Sequence, residues 1–440
     1  MQSSSAWGRV VLLLVAAVAV LQVLHLILLS RLEARHQRHH HALQQQDDEV
    51  QDAALAGAVA ANIDIHGPLN SASTSGDDAP LSVDAQFTLL VRALQRGGVL
   101  DSSGEYRLVS GLAPATRLPL PVSAPGSGPG VPGLPDVALA TQCSVRHLPL
   151  IAELAMRWQG AVSVAVFAET RELGAALWGV ARLRSCYPAV RHNVSFQLVT
   201  PLGAAGDHAP ILPPPEAATS CDVPVPQEAS MAPNYAHTRA PYPVNLLRNV
   251  ARRAVQAEYV LLVDADMLPS YQLRERFHRF ATKSRLFRDS QRDDKTVYVV
   301  PAFEARQGAV VPRDKAELLA LSESGQLRPF YFELCWKCQV HTDYEAWQRE
   351  PPGPGLAPLF EVLWKDPWEP FYIARNSAPL YDERFKQYGF NRISQTHSTS
   401  RKMKTRNEIV CCSDNSRRNF ESDIPNLRDA ATDICVRVPA

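Results

Sequence analysis

Residues Tyr259-Val-Leu-Leu-Val-Asp-Ala-Asp-Met-Leu-Pro269 carry an unbroken apolar run straight into two carboxylates spaced i, i+2. Five consecutive apolar residues suit a strand buried on both faces, as in a parallel sheet sandwiched by helices, and Pro269 is expected to end the pairing soon after the acids. The spacing sets Asp264 and Asp266 on one side of a strand end. That is the rim at which open α/β sheets bind ligands. Two convergent carboxylates are hard oxygen donors that suit Mg²⁺ or Mn²⁺ and leave coordination positions for the oxygens of a diphosphate. The chemistry fits an enzyme that acts on a nucleotide-linked sugar. A D-x-D triplet alone is also a common turn or solvated strand end, and it is the buried strand in front of it that gives this one weight.

The segment before the strand strengthens the reading. From Pro243 to Val255, Val244, Leu247, Ala251, Ala254 and Val255 recur at helical spacing and leave Asn245, Arg248, Asn249, Arg252 and Arg253 on other faces. Helix followed by buried strand and acids is half of a β/α crossover unit. Arg248 and Asn249 are placed to reach a nucleotide diphosphate or its sugar; the competing expectation is a solvated basic face on an amphipathic helix.

The 440 residues allow one large domain or two ordinary ones, and the balance of 45 basic against 45 acidic residues gives no reason to expect nucleic acid as a partner. Val10–Leu29 is an apolar run long enough to span a bilayer as a helix, interrupted only by Gln22 and His25. The run continues through Leu26–Leu29, past the small residues at which a signal peptide would be cleaved, so an uncleaved anchor is expected. Arg31, Arg35 and Arg38 follow the run and only Arg9 precedes it, a charge distribution that favours a cytosolic body. The sequon Asn193-Val194-Ser195 and the eight cysteines instead suit an oxidising lumen. Residues 30–135 read as stem and linker, with a polar tract that includes His39-His40-His41, a helix expected over Phe87–Leu100 ending at Gly97-Gly98, and a Pro/Gly-rich loop over Ala113–Pro135. From Asp136, strands at Val137–Thr141, Val162–Phe167 and Val194–Val199 and a helix at Val145–Trp158 imply an α/β fold with a largely parallel sheet, the acidic strand fourth in the series.

Several blocks together make a family resemblance: Asn245-Leu-Leu-Arg-Asn249, Val263-Asp-Ala-Asp-Met267, Val300-Pro-Ala-Phe-Glu304, Arg328-Pro-Phe-Tyr331, Asp366-Pro-Trp-Glu-Pro-Phe-Tyr372 and Asp382-Glu-Arg-Phe-Lys-Gln-Tyr-Gly-Phe-Asn-Arg-Ile-Ser-Gln395. The chain resembles the family that holds the β-1,4-glucuronyltransferase of α-dystroglycan O-mannosyl glycan synthesis and the second catalytic domain of LARGE. The resemblance implies a GT-A (Rossmann-like, nucleotide-sugar-binding) glycosyltransferase domain over 136–395, behind a cytoplasmic tail (1–9), a transmembrane signal-anchor (10–29) and the lumenal stem. It implies a single-pass type II protein of the Golgi membrane, in which the Asn193 sequon would be open to glycosylation and other glycosyltransferases are candidate partners. It further implies Mn²⁺ held by Asp264 and Asp266, UDP-glucuronate as donor, for which Arg248 and Asn249 are the contacts their position beside the acidic strand offers, and β-1,4 transfer to a xylose acceptor on a glycoprotein glycan. A β-linked product from an α-linked donor requires inversion and a general base. Glu369, Asp382 and Glu383 are the acids available for that role, whereas Asn391-Arg392 occupies the place where many such enzymes carry an acidic pair.

Trp368, Phe371 and Tyr372 are either a wall against a sugar ring or core aromatics. Cys335-x-x-Cys338 lacks a second pair for structural zinc, so a disulfide involving one or both of these cysteines is expected, with the pairing left open. Glu304 is either structural or close to the acceptor. The match stops after Gln395, and residues 396–440 form a divergent polar tail without the histidine that completes the family's metal site; His397 lies too close to the matched block to take its place. Two other functions are therefore kept open: a catalytically impaired family member that acts as a binding partner, and an N-acetylglucosaminyltransferase acting on galactose-terminated glycans.

Overall fold

The computed structural model describes residues 80–117, 134–202, 211–214, 220–221, 235, 241–287, 296–353, 355–362, 364–386, 392–393, 395 and 435–437. The expected anchor, His39–His41 and His397 lie outside them. Among the described residues no helix is long and apolar enough to cross a membrane.

Helix α1 (Val83–Gln95) starts where the Ser82 hydroxyl accepts the Ala85 amide at 3.2 Å, ahead of the expected Phe87. It stops before Gly97, whose φ of 89° a side chain would resist. Val99–Leu100 is then not helix but a short strand, β1, antiparallel to β2 (Tyr106–Ala113). Strand β3 (Leu134–Ser144) outruns its expected span at both ends, and a 3₁₀ turn at Val145–His147 delays α2 to Leu150–Trp158. Strand β4 (Val162–Phe167) has the expected bounds, and α3 (Leu173–Cys186) and α4 (Pro188–Asn193) lead into β5 (Val194–Pro201). Next come α5 (Val244–Arg253), β6 (Ala257–Leu262), β7 (Met267–Pro269) and α6 (Leu273–Lys283). The remaining elements are β8 (Tyr298–Val300), β9 (Ala302–Ala305), α7 (Lys315–Glu323), β10 (Leu327–Pro329), α8 (Tyr344–Arg349), β11 (Phe371–Arg375) and β12 (Cys435–Arg437).

Eight strands form one sheet in the order β1-β2-β5-β4-β3-β6-β11-β8. Its centre, β5-β4-β3-β6, is parallel, and the flanks are antiparallel, so the sheet is mixed rather than largely parallel. The acidic strand is sixth in the chain because β1 and β2 precede the three expected strands. Alternation along the parallel strands divides their apolar side chains between two cores. Val164, Phe196, Tyr259 and Leu261 join the core formed with α1, α2 and α3, whereas Phe167, Val199, Val260 and Leu262 pack with Leu246, Leu247 and Val250 of α5.

A second sheet runs β10-β9-β12-β7. Strand β12, drawn from the segment expected to be a divergent tail, lies antiparallel to β7 and parallel to β9. A separate core of Phe303, Leu318, Tyr344, Trp347 and Trp368 packs here. Two disulfides occur among the described residues, Cys186–Cys221 and Cys335–Cys338, the second of which pairs the two cysteines of the C-x-x-C with each other. The sequon Asn193 ends α4 half-buried, and Ser195 lies within β5.

Candidate active site

Strand β6 ends at Leu262, and the chain turns through Asp264–Asp266 before entering the second sheet as β7. The acids therefore occupy a connection between two sheets rather than the end of one strand, and pairing continues through Pro269 with Cys435 opposite it. The Met267 amide donates to the Asp264 carbonyl at 2.9 Å and closes the turn. Both acidic side chains are half-buried.

Each oxygen of the Asp264 carboxylate is held by a guanidinium. Arg248 Nη2 of α5 lies 3.0 Å from Oδ1, and Arg392 Nη2 lies 2.6 Å from Oδ2. Gln142, at the end of β3, donates to Oδ1 at 3.3 Å and itself accepts from the Tyr242 hydroxyl. Both arginines are buried and each lies over a ring: Arg248 is 5.3 Å from the Tyr381 centroid and Arg392 4.1 Å from that of Phe371. Burial alone would raise the Asp264 pKa, but the two cations outweigh it and hold the carboxyl well below the usual range.

Asn245, Arg248, Asn249 and Arg252 form one stripe of α5 at helical spacing, and all four are buried. The solvated basic face is found only at Arg253, whose side chain is half exposed. The stripe grips residues 376–383. Asn245 donates to the Asp382 carbonyl at 2.9 Å, and Arg252 donates to the carbonyls of Asn376, Ala378 and Pro379. Asn249 Nδ2 donates to the Tyr381 carbonyl and to Glu383 Oε1, both at 2.8 Å, while its Oδ1 accepts the Tyr381 amide at 2.9 Å. Asn249 thus engages both ends of its amide within the protein, contacts that make it a clamp on residues 381–383.

The three acids considered as bases separate here. Asp382 is bound by its neighbour Arg384 at 2.6 Å, and Glu383 by Asn249 and by Arg253 at 3.0 Å. Glu369 alone shares the surroundings of Asp264: burial raises its pKa, and Arg392, Arg248 and Asp264 all act on its charge. Trp368 and Phe371 are core residues, and the Trp368 indole donates to Thr342 Oγ1 at 3.1 Å, in keeping with the core alternative of their sequence reading. Glu304 is paired with Arg328 at 2.6 Å.

Sequence reasoning missed Gln142 as part of the site and read Arg392 only as a departure from a pattern. A polar residue extending an otherwise apolar strand was the available signal for Gln142. No group of three or more His, Cys, Asp or Glu side chains able to hold a metal occurs among the described residues. Asp264 and Asp266 nevertheless place hard oxygen donors on one turn; a divalent ion there would share the Asp264 oxygens with Arg248 and Arg392 and take its remaining positions from a diphosphate.

The profile of the family described as "Glycosyl-transferase for dystroglycan" matches residues 136–402. The chain belongs to this family. The mouse protein named Beta-1,4-glucuronyltransferase 1 is 40% identical over 324 residues, 72% of this chain and 72% of that protein. The zebrafish (Danio rerio) protein of the same name is 33% identical over 88% of this chain and 83% of that protein. Human "Xylosyl- and glucuronyltransferase LARGE1" is 29% identical over 59% of this chain and 28% of that protein. The crystal structure of S. aureus TarS 1–349 aligns with TM-score 0.29 and 15% identity over 64% of this chain and 58% of that one, too distant a likeness to carry an argument.

Proposed function

We propose that this protein transfers glucuronate from UDP-glucuronate to a xylose acceptor in β-1,4 linkage, within O-mannosyl glycan synthesis on α-dystroglycan, by way of a GT-A domain. The family and its 40%-identical relative support the reading. Its chemistry rests on one observation: a carboxylate bracketed by two buried guanidiniums stands in the electrostatic range of a glutamate whose pKa is raised. Asp264 and Asp266 would hold Mn²⁺, which supplies Lewis-acid neutralisation of the UDP leaving group. Arg248, fixed by Asn245 at 3.1 Å, orients Asp264 from the α5 side, and Arg392 orients it from the other. Glu369 takes the proton from the acceptor hydroxyl as that oxygen attacks the anomeric carbon and UDP departs, which inverts the centre in a single displacement. Residence in the Golgi membrane as a type II protein, with the anchor at residues 10–29 and a glycan on Asn193, belongs to the same proposal.

The test is turnover by the purified full chain in detergent with Mn²⁺ and a β-xyloside, offering UDP-glucuronate and UDP-N-acetylglucosamine separately. Metal-dependent glucuronyl transfer that is lost in Asp264→Asn/Asp266→Asn is expected. Transfer of N-acetylglucosamine instead, or no transfer by folded protein, would overturn the proposal.

A further inference from the structure

The loop 330–340 is rooted at the candidate site at both ends. At its start, Phe330 meets the Phe371 ring edge-on at 5.3 Å, and Phe371 is the ring beneath Arg392. Tyr331, with a left-handed φ of 57°, stacks on Phe330 at 4.1 Å and acts electrostatically on Arg392. At its end, the Cys338 carbonyl accepts the Glu369 amide at 2.8 Å, and Gln339 Nε2 donates to the Glu369 carbonyl at 2.9 Å. The Cys335–Cys338 disulfide closes the loop between these roots.

The crest of the loop is apolar and exposed. Phe332, Leu334 and Trp336 are 49%, 46% and 40% exposed, and Phe332 meets Trp336 edge-on at 5.2 Å. Burying such rings elsewhere in the fold would be favourable, so a crosslinked loop that presents them to water beside charged residues marks a contact surface. A polar rim accompanies them, built from Arg328, which binds Glu304 and the exposed Glu333. Apolar rings bordered by a few fixed hydrogen-bonding groups match a saccharide, whose pyranose rings carry C–H faces between hydroxyl edges.

We propose that Phe332 and Trp336 form the platform on which the acceptor glycan lies, stacked against its sugar rings and led toward Glu369. The inference rests on the glycosyltransferase reading above and adds the acceptor subsite to it. The sugar-facing aromatics that the buried Trp368 and Phe371 do not supply are thereby assigned to other residues, held in place by a hydrogen-bonded strap to Glu369.

Two measurements on the full chain test it. The first is steady-state transfer from UDP-glucuronate to a β-xyloside and to a longer xylose-terminated oligosaccharide, for wild type, Trp336→Ala, Trp336→Phe and Phe332→Ala/Trp336→Ala. The acceptor KM should rise about tenfold or more in the double variant, a factor equivalent to ~1.4 kcal/mol. The donor KM should stay unchanged, and Trp336→Phe should keep most of the affinity. The second is direct binding of the same oligosaccharide, followed by titration calorimetry with and without UDP, which reports on the platform even if no transfer occurs. Oligosaccharide binding by wild type that is lost in the double variant supports the platform whatever the activity. An acceptor KM and oligosaccharide affinity unchanged in the folded double variant overturn it, as does a change confined to self-association. Absent transfer with platform-dependent binding would count against the reaction but not against the subsite.

Discussion

Replacing Asn249 by alanine separates a ligand-binding residue from a structural clamp. The sequence places Asn249 beside the acidic strand as a donor contact, whereas the structure engages its amide with both backbone groups of Tyr381 and with Glu383. Asn249→Ala leaves the Tyr381 N–H and C=O without these partners on a face where Asn249 is fully buried. A buried polar group stripped of its partner costs about 1–3 kcal/mol, so two such groups predict a loss of about 2–6 kcal/mol. Against the roughly 5–15 kcal/mol that holds an ordinary domain, that is a large fraction. Urea unfolding followed by fluorescence would show a lower midpoint with an unchanged slope. The donor KM of the remaining folded protein should move little. A stability loss below about 1 kcal/mol, paired with a sharply weakened donor KM, would refute the reasoning and restore Asn249 as a ligand.

Glu369 carries a raised pKa, so its basic form appears at a higher pH than for a free carboxylate. The acid limb of kcat/KM should therefore lie above the usual carboxylate value of 4.5. Glu369→Gln should abolish that limb and lower kcat by about 10²–10⁴ with donor affinity kept, whereas Asp382→Asn should leave the profile in place. An unchanged limb in Glu369→Gln would remove it as the base. The Cys186–Cys221 bridge spans 35 residues, a loop for which the chain-entropy relation gives about 4 kcal/mol. Cys186→Ser/Cys221→Ser should lose up to that amount in urea unfolding under non-reducing conditions, and a loss near zero would show that the linked segments are held by other contacts.

What was legible in the sequence was local. Val162–Phe167 announces itself by an apolar, β-branched run, and Tyr259–Val263 by the same signal followed by acids. The helix over Val244–Arg253 follows from its apolar period, but its polar stripe could not be recognised as buried. Its partners at Asn376, Tyr381 and Asp382 lie more than a hundred residues away, and only the fold brings them over the helix. The same distance hid the site's second half. Arg248 is 16 residues from Asp264, while Gln142 and Arg392 are 122 and 128 residues away in opposite directions. Short strands such as β1 and β7 were lost because their pairing partners, and not their own composition, make them strands. Trp368 and Phe371 sat in a block shared with the family, and a shared block does not distinguish a ring kept for packing from one kept for ligand.

The connection Val263–Asp266 is only four residues long, and it joins strands of two sheets through one shared core, in which Tyr259 and Leu261 of β6, Val263 and Ala265 of the connection and Met267 and Leu268 of β7 pack together. A chain of that length spans at most about 14 Å when fully extended, so the acids act as a strap with little slack. A change in volume among Tyr259, Leu261 and Leu268 must then be taken up by the strap. Inherited variants that impair the protein are therefore expected in this shared core as well as among the acids. Second-site revertants of a loosened acid turn should map there too, since refilling that core is the one repair that pulls the strap taut again.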